Sequence, residues 1–204
     1  MPESPLVGFK LETADPVAEG AEVVLGERPF PGHLNLRGRS DDATFVRAAE
    51  QVLGLTLPVE ANTTAGNNDH RVLWLGPDEW LVVTPRGAQA SLQESLEKSL
   101  QDCFASITDV SSGNTVIAVS GPRSRELLAK GTSLDIHPRA FPVGGCAQTH
   151  FAHAGALICL WDSQPAFELV VRRSFADYVW RWLHAAARDM ALGVQATVGV
   201  SVGQ

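Results

Sequence analysis

Two runs, Arg71-Val72-Leu73-Trp74-Leu75 and Trp80-Leu81-Val82-Val83-Thr84, are rich in β-branched and aromatic side chains. Between them lies Gly76-Pro77-Asp78-Glu79. This is turn chemistry, with proline presetting φ. Together they predict a β-hairpin, the clearest unit in the chain. A helix is predicted after it, over about Gln89 to Leu100, with Leu92, Leu96 and Leu100 on one face.

The flanking segments extend the pattern. Leu34-Asn35-Leu36-Arg37 alternates like a short strand. Ser40 or Asp41 can cap a helix in which Phe45, Val46, Ala49, Val52 and Leu53 recur at helical spacing, and Gly54 can close it. Leu55 to Val59 reads as a strand and Ala61 to Asp69 as a polar loop. Ala105 to Val110 reads as a strand, Ser111-Ser112-Gly113-Asn114 as a turn, and Thr115 to Ser120 as its hairpin partner. Gly121-Pro122 opens a helix, with Leu127 and Leu128 inward and Gly131 at its end. Residues 132–146 read as a loop. Strands are expected near 147–152, 156–161 and 166–171. A last helix is expected over about Phe175 to Met190, capped by Ser174, with Ala176, Val179, Trp180, Leu183 and Ala187 buried and Gly193 closing it.

This order, β-α-β-β-α-β and then β-α-β-β-β-α, predicts an α+β fold of two ferredoxin-like halves, with antiparallel sheets and helices on one face. The expected division is an extended N-terminal arm at 1–31, a first half at 32–110, a second at 111–193 and a tail at 194–204. The arm is rich in Pro, Gly, Glu and Ala, with one apolar run at Val23-Val24-Leu25. It reads either as a loose terminus or as a segment that orders on a partner.

The formal net charge is −7. Such a chain repels phosphate backbones and anionic lipid, so neither nucleic acid nor membrane is an expected partner. The densest basic group, Arg172, Arg173, Arg181 and Arg188, is accounted for by a solvated helix face. The N-terminus lacks a basic region followed by an apolar one, and the cysteines Cys103, Cys146 and Cys159 are odd in number and widely spaced. Both features favour a cytoplasmic location without a disulfide framework.

Residue type and spacing limit which sites could carry chemistry. Cys146, His150 and His153 could ligate a metal, but in a strand His150 and His153 would point to opposite faces, and no second cluster adds a ligand. Cys159 lies in an apolar run and reads as core, while Cys103 and Cys146 stay open. No G-x-S-x-G elbow, P-loop or strand-linked G-x-G-x-x-G occurs, and Gly199-Val200-Ser201-Val202-Gly203 has no helix after it. Trp80 and Trp180 sit where core is expected. Trp74, Trp161 and Trp182 could be core or could serve an interface. No acid, base, nucleophile or metal constellation stands out, so catalytic, cofactor and metal residues are each expected to be none.

Three blocks carry a resemblance. They are Trp74 to Val83, Ile107 to Thr115 with Val119 to Leu128, and Phe167 to Trp180. Over about residues 34–193 they resemble the gamma subunit of heterotetrameric sarcosine oxidase, which is similar in turn to the folate-binding aminomethyltransferase domain of the glycine cleavage system. The resemblance implies a non-catalytic subunit in a complex with alpha, beta and delta subunits. That complex oxidises sarcosine to glycine, hydrogen peroxide and a one-carbon unit captured by tetrahydrofolate. FAD, FMN, NAD, tetrahydrofolate and zinc are expected on the partner subunits, with no small-molecule ligand on this chain.

The transferase relatives carry Gly-Gly-x-x-Asp-Asp before the first hairpin strand. Here Ala65-Gly66-Asn67-Asn68-Asp69 stands there, so Asn68 replaces one acid and Asp69 remains. They also carry Tyr-Thr-Gly-Glu before their last strand. Here Trp161-Asp162-Ser163-Gln164 lacks the glutamate, and Glu168 matches only a later Glu-Leu pair. A neutral amide cannot accept a proton as a carboxylate does. The resemblance thus implies a fold kept and a site largely lost. The alternative is a stand-alone folate-dependent one-carbon transferase using Asp69.

Overall fold

The computed structural model describes residues 3–11 and 17–195. These residues form two compact units. One is Phe30–Ser112, and the other takes in the described residues up to Pro29 and those from Gly113 onward. The expected tail lies almost wholly outside the described residues, as does Gly199-Val200-Ser201-Val202-Gly203.

The unit Phe30–Ser112 contains β2 (Gly32–Arg37), α1 (Ala43–Leu53), β3 (Thr64–Gly66), β4 (Arg71–Gly76), β5 (Glu79–Thr84), α2 (Gln89–Ser99) and β6 (Ser106–Asp109). Its antiparallel sheet runs β3-β4-β5-β2-β6. The expected hairpin is β4–β5, with Trp74 opposite Trp80. Alternate sheet residues Leu34, Leu36, Val72, Trp80 and Val82 face Phe45, Ala49 and Leu53 of α1 and Leu92 and Leu96 of α2. Both helices therefore cover the same face.

Local chemistry sets the ends of α1. The cap is Asp42, not Ser40 or Asp41: its carboxylate accepts from the amides of Thr44 and Phe45. This satisfies donors that the helix itself cannot pair. Gly54 closes the helix at φ 65°, a left-handed conformation that costs glycine little. Two readings are corrected here. Leu55 to Val59 is not a strand: the amide of Leu57 donates to Glu50 Oε1 (3.0 Å) and Pro58 O accepts from Trp80 Nε1 (2.7 Å). These bonds pin the segment without a strand partner. The loop 61–69 instead contains β3.

The other unit contains β1 (Val23–Arg28), β7 (Asn114–Ser120), α3 (Ser124–Ala129), β8 (Cys146–Phe151), β9 (Ala154–Asp162), β10 (Ala166–Arg172), α4 (Arg173–Ala186) and β11 (Leu192–Val194). Its sheet runs β11-β1-β7-β10-β9-β8. All pairs are antiparallel except β1 with β11. The core joins Leu25, Ile117, Val119, Ile158 and Leu169 to Leu127 and Leu128 of α3 and to Ala176, Val179, Trp180 and Leu183 of α4.

The extended-arm reading of residues 1–31 is corrected by this sheet. Val23 and Leu25 are buried in it, β1 pairs along its length with β7, and β2 begins at Gly32. Upstream, Leu6 and Leu11 enter the same core, and the ring of Phe9 lies 5.8 Å from that of Trp180. The apolar run Val23-Val24-Leu25 gains more by burial than an arm would by remaining free.

Four further boundaries differ. β7 is not the hairpin partner of β6: β6 pairs with β2, while β7 lies between β1 and β10. Helix α3 starts at Ser124, two residues after Pro122. Gly121 precedes it at φ 101°, where a Cβ would stand 2.6 Å from Glu22 O. Helix α4 starts at Arg173, with Arg172 rather than Ser174 at the cap position. Gly193 does not cap α4; it lies in β11, opposite Val24.

Candidate functional site

The transferase-like acid position is a turn. Between β3 and β4, Asn67 N donates to His70 O (2.9 Å), and Asn67 Oδ1 accepts from the amides of Asp69 (2.9 Å) and His70 (2.8 Å). Asn67 Nδ2 donates to Leu53 O (2.9 Å) and so ties the turn to the end of α1. Asn67 is thus the structural residue of this segment. Asn68 and Asp69 are both exposed. Burial pushes the His70 imidazole below its usual range, and the Asp69 charge opposes that shift.

The second transferase-like position lies in the other unit. Trp161 and Asp162 end β9, and Asp162 Oδ1 accepts from the amide of Gln164 (2.9 Å) and the hydroxyl of Ser163 (3.2 Å). Glu168 is buried on β10. Its Oε1 lies 2.7 Å from Arg28 Nε, and its Oε2 accepts from Trp161 Nε1 (2.9 Å). Both carboxylate oxygens are therefore engaged within the sheet. Glu27, next to Arg28, is also buried, and its Oε1 accepts from Thr115 Oγ1 (2.7 Å) while Oε2 accepts from Ser4. Sequence reasoning missed Glu27 and Arg28 because they fell within the segment read as an arm.

His33 is a further residue missed. It is 0% exposed, and neither ring nitrogen has a hydrogen-bond partner among the described residues. Burial pushes its pKa down to about 4, against the pull of Asp109. Its backbone is held by Ser111: His33 N donates to Ser111 Oγ (2.9 Å), and His33 O accepts from Val110 N (2.9 Å). An alternating strand offers no signal that its one histidine is sealed.

The cysteine and histidine candidates separate. Cys146 is buried on β8, His150 is exposed on the same strand, and His153 lies in the β8–β9 turn with its ring 6.4 Å from that of Tyr178. Among the described residues no group of three or more His, Cys, Asp or Glu could hold a metal. Cys159 is buried, and Cys103 is half-buried against the first unit's core. Trp80 and Trp180 are core, while Trp74, Trp161 and Trp182 are half-buried. The exposed aromatics among the described residues are instead Phe104, 91% accessible, and Phe175.

These observations define an α+β protein in which the segments singled out by the resemblance, residues 67–69 and 161–164, are a turn and a strand end in separate units. Comparisons specify its kin. The model of the sarcosine oxidase gamma subunit family matches residues 37–189, and the chain belongs to that family. Sarcosine oxidase subunit gamma of Corynebacterium sp. (strain P-1) is 33% identical over 183 residues, covering 87% of this chain and 88% of that one. A chain of the heterotetrameric sarcosine oxidase from Corynebacterium sp. U-96 superimposes with a TM-score of 0.83 at 28% identity, over 93% of this chain and 96% of that one. The glycine cleavage system aminomethyltransferase T of Bartonella henselae shares the fold: TM-score 0.63 at 12% identity, over 86% of this chain and 48% of that one.

Proposed function

We propose that this chain is the non-catalytic gamma subunit of a heterotetrameric sarcosine oxidase, assembled with alpha, beta and delta subunits in the cytoplasm. The complex demethylates sarcosine oxidatively to glycine, forming hydrogen peroxide and 5,10-methylenetetrahydrofolate. FAD, FMN, NAD, tetrahydrofolate and zinc belong to the partner subunits. Membership of the gamma subunit family carries this reading.

The chain's own residues do not fit a folate-transfer site. Asn68 stands where the relatives have an acid, Asp69 is exposed at a turn, and Glu168 is committed to Arg28 and Trp161. Among the described residues no helix is long and apolar enough to cross a membrane.

The test is a tagged pull-down from the native cell, with a visible absorption spectrum of the product. A yellow complex with larger subunits, oxidising sarcosine to peroxide, is expected. Normal assembly and turnover in a strain lacking this chain would overturn the reading. Tetrahydrofolate titration of the isolated chain and of Asp69→Ala is expected to show no binding. Binding by the native chain that Asp69→Ala weakens would favour the stand-alone transferase instead.

A further inference from the structure

Strands β8 and β9 form a hairpin in which Phe151 pairs with Ala154 around Ala152-His153, with Ala152 at φ 50°. A two-residue turn makes its closing pair a hydrogen-bonded one. Hydrogen-bonded and non-hydrogen-bonded pairs then alternate up the ladder. Five steps on, Cys146 stands opposite Cys159 at a non-hydrogen-bonded position. The bond from Leu160 N to Gly145 O (3.0 Å), one step further, fits the same alternation.

At such a position the Cα atoms are about 4.5 Å apart and the side chains share a face at their closest approach. A disulfide spans Cα separations of about 4.4–6.8 Å, so this backbone can accept one. Both residues are thiols, 0% and 1% exposed. The separation in sequence hides the match, because only the register of the hairpin reveals it.

We infer that Cys146 and Cys159 are a reversible dithiol–disulfide pair, closed by a peroxide-class oxidant, that fastens strand β8 to β9. One sulfur attacks a peroxide oxygen and the O–O bond breaks. Hydroxide leaves and takes up the thiol proton as water, giving a sulfenic acid. The second sulfur attacks that sulfur, the S–O bond breaks, and a second water leaves. Two thiols and one hydrogen peroxide thus become one disulfide and two waters, with sulfur oxidised and oxygen reduced.

Placement gives the bond its effect. β8 is the outer strand of its sheet, paired only with β9 among the described residues. Both sulfurs are sealed while β8 is seated, so oxidation proceeds through opening of this edge. Once formed, the bond withholds that opening. Cys103 lies in the other unit.

The experiment uses the full chain carrying Cys103→Ser, equilibrated in glutathione buffers from reducing to oxidising, then acid-quenched, unfolded and alkylated. No Lys or Arg lies between Arg139 and Arg172, so trypsin yields one peptide, 140–172, holding both cysteines. In oxidising buffer that peptide is expected to be about 2 Da lighter, the loss of two hydrogens, and to carry no alkyl group. Hydrogen peroxide on the reduced chain is expected to give the same peptide, with slower amide exchange in β8. In Cys146→Ser, Cys159 is expected to end as a glutathione adduct.

Two results would overturn the pair. One is alkylation of both cysteines, or separate glutathione adducts, at every poise. The same outcome in chain refolded from denaturant in oxidising buffer removes access as the reason. The other is sulfinic acid on Cys146 or Cys159 under peroxide without the internal bond.

Discussion

In the unit Phe30–Ser112, the strand that follows the second helix, β6, takes the place beside β2. In the other unit the matching place, beside β7, belongs to β1, which comes from the N-terminal side. The strand that follows α4 there, β11, lies one position further out and parallel to β1. Otherwise the wiring agrees. The order β3-β4-β5-β2-β6 in one sheet corresponds to β8-β9-β10-β7-β1 in the other. The difference teaches that a strand slot can be filled from a distant segment, provided its apolar face suits the core. A contiguous unit can be read from its own sequence; one closed by a distant strand cannot.

The largest expected effect tests that closure. Deleting residues 1–28 removes β1 and with it Val23 and Leu25, both 0% exposed. The loss is on the scale of a domain's whole stability, about 5–15 kcal/mol. Hydrogen exchange is expected to show β7 and β10 amides stripped of protection. Protection that survives in β7 would mean β1 is dispensable, and the comparison would fail.

Acid sharpens the contrast between the buried polar groups of the two units. Glu27 and Glu168 have side-chain partners within their unit, whereas the His33 ring is sealed without a hydrogen bond among the described residues. Its folded pKa of about 4 lies below the ordinary 6.5. Between these values the unfolded chain takes up a proton that the folded chain refuses. Stability is therefore full above pH 6.5 and falls as pH drops towards 4, by up to about 3 kcal/mol. Urea midpoints measured across this range should show the fall, and His33→Leu should flatten it. An equal fall in His33→Leu would assign the acid response to other groups.

How far the sequence spoke follows the same division. The β4–β5 hairpin, α1 and the buried stripe of α4 were legible because alternation, helical spacing and turn residues all act locally. Val23–Arg28 was not, since Pro and Gly around it imitate a loose arm and its partner β7 is far along the chain. Thr115 to Ser120 looked like a hairpin partner of Ala105 to Val110 because a short turn separates them. That turn is where one unit ends and the other begins, between Ser112 and Gly113. At the candidate site, the residue types Asn67, Asn68 and Asp69 could be read directly. That Asn67 ties the turn to α1 could not, because that bond joins residues distant in the chain.

A smaller effect concerns the strand that closes the second unit. Arg28→Ala leaves Glu168 its hydrogen bond from Trp161 but removes the guanidinium 2.7 Å from Oε1. The Arg28 side chain is 18% exposed, so solvent relieves part of the loss. About 2 kcal/mol is expected rather than the larger cost of a fully sealed pair. Adding Glu168→Gln should recover part of it, because the amide needs no counter-charge. A double variant no better than the single would show that Arg28 acts through packing along β1 instead.

The smallest effects compare helix starts. α1 begins under Asp42, whose carboxylate accepts from Thr44 N (2.8 Å) and Phe45 N (3.4 Å). α4 begins after Arg172, in the extended conformation a cap adopts (φ −62°, ψ 136°) but without a side-chain bond to the helix. An acid at a helix start accepts from orphan amides and meets the positive end of the helix dipole, whereas a guanidinium does neither. Asp42→Ala should therefore cost about 1 kcal/mol. Arg172→Asp should add a few tenths to about 1 kcal/mol, since the backbone is already placed for a cap. Thermal midpoints should move in opposite directions. Destabilisation by Arg172→Asp would show that its place at the end of β10, opposite Asn114, matters more to this unit than its place before α4.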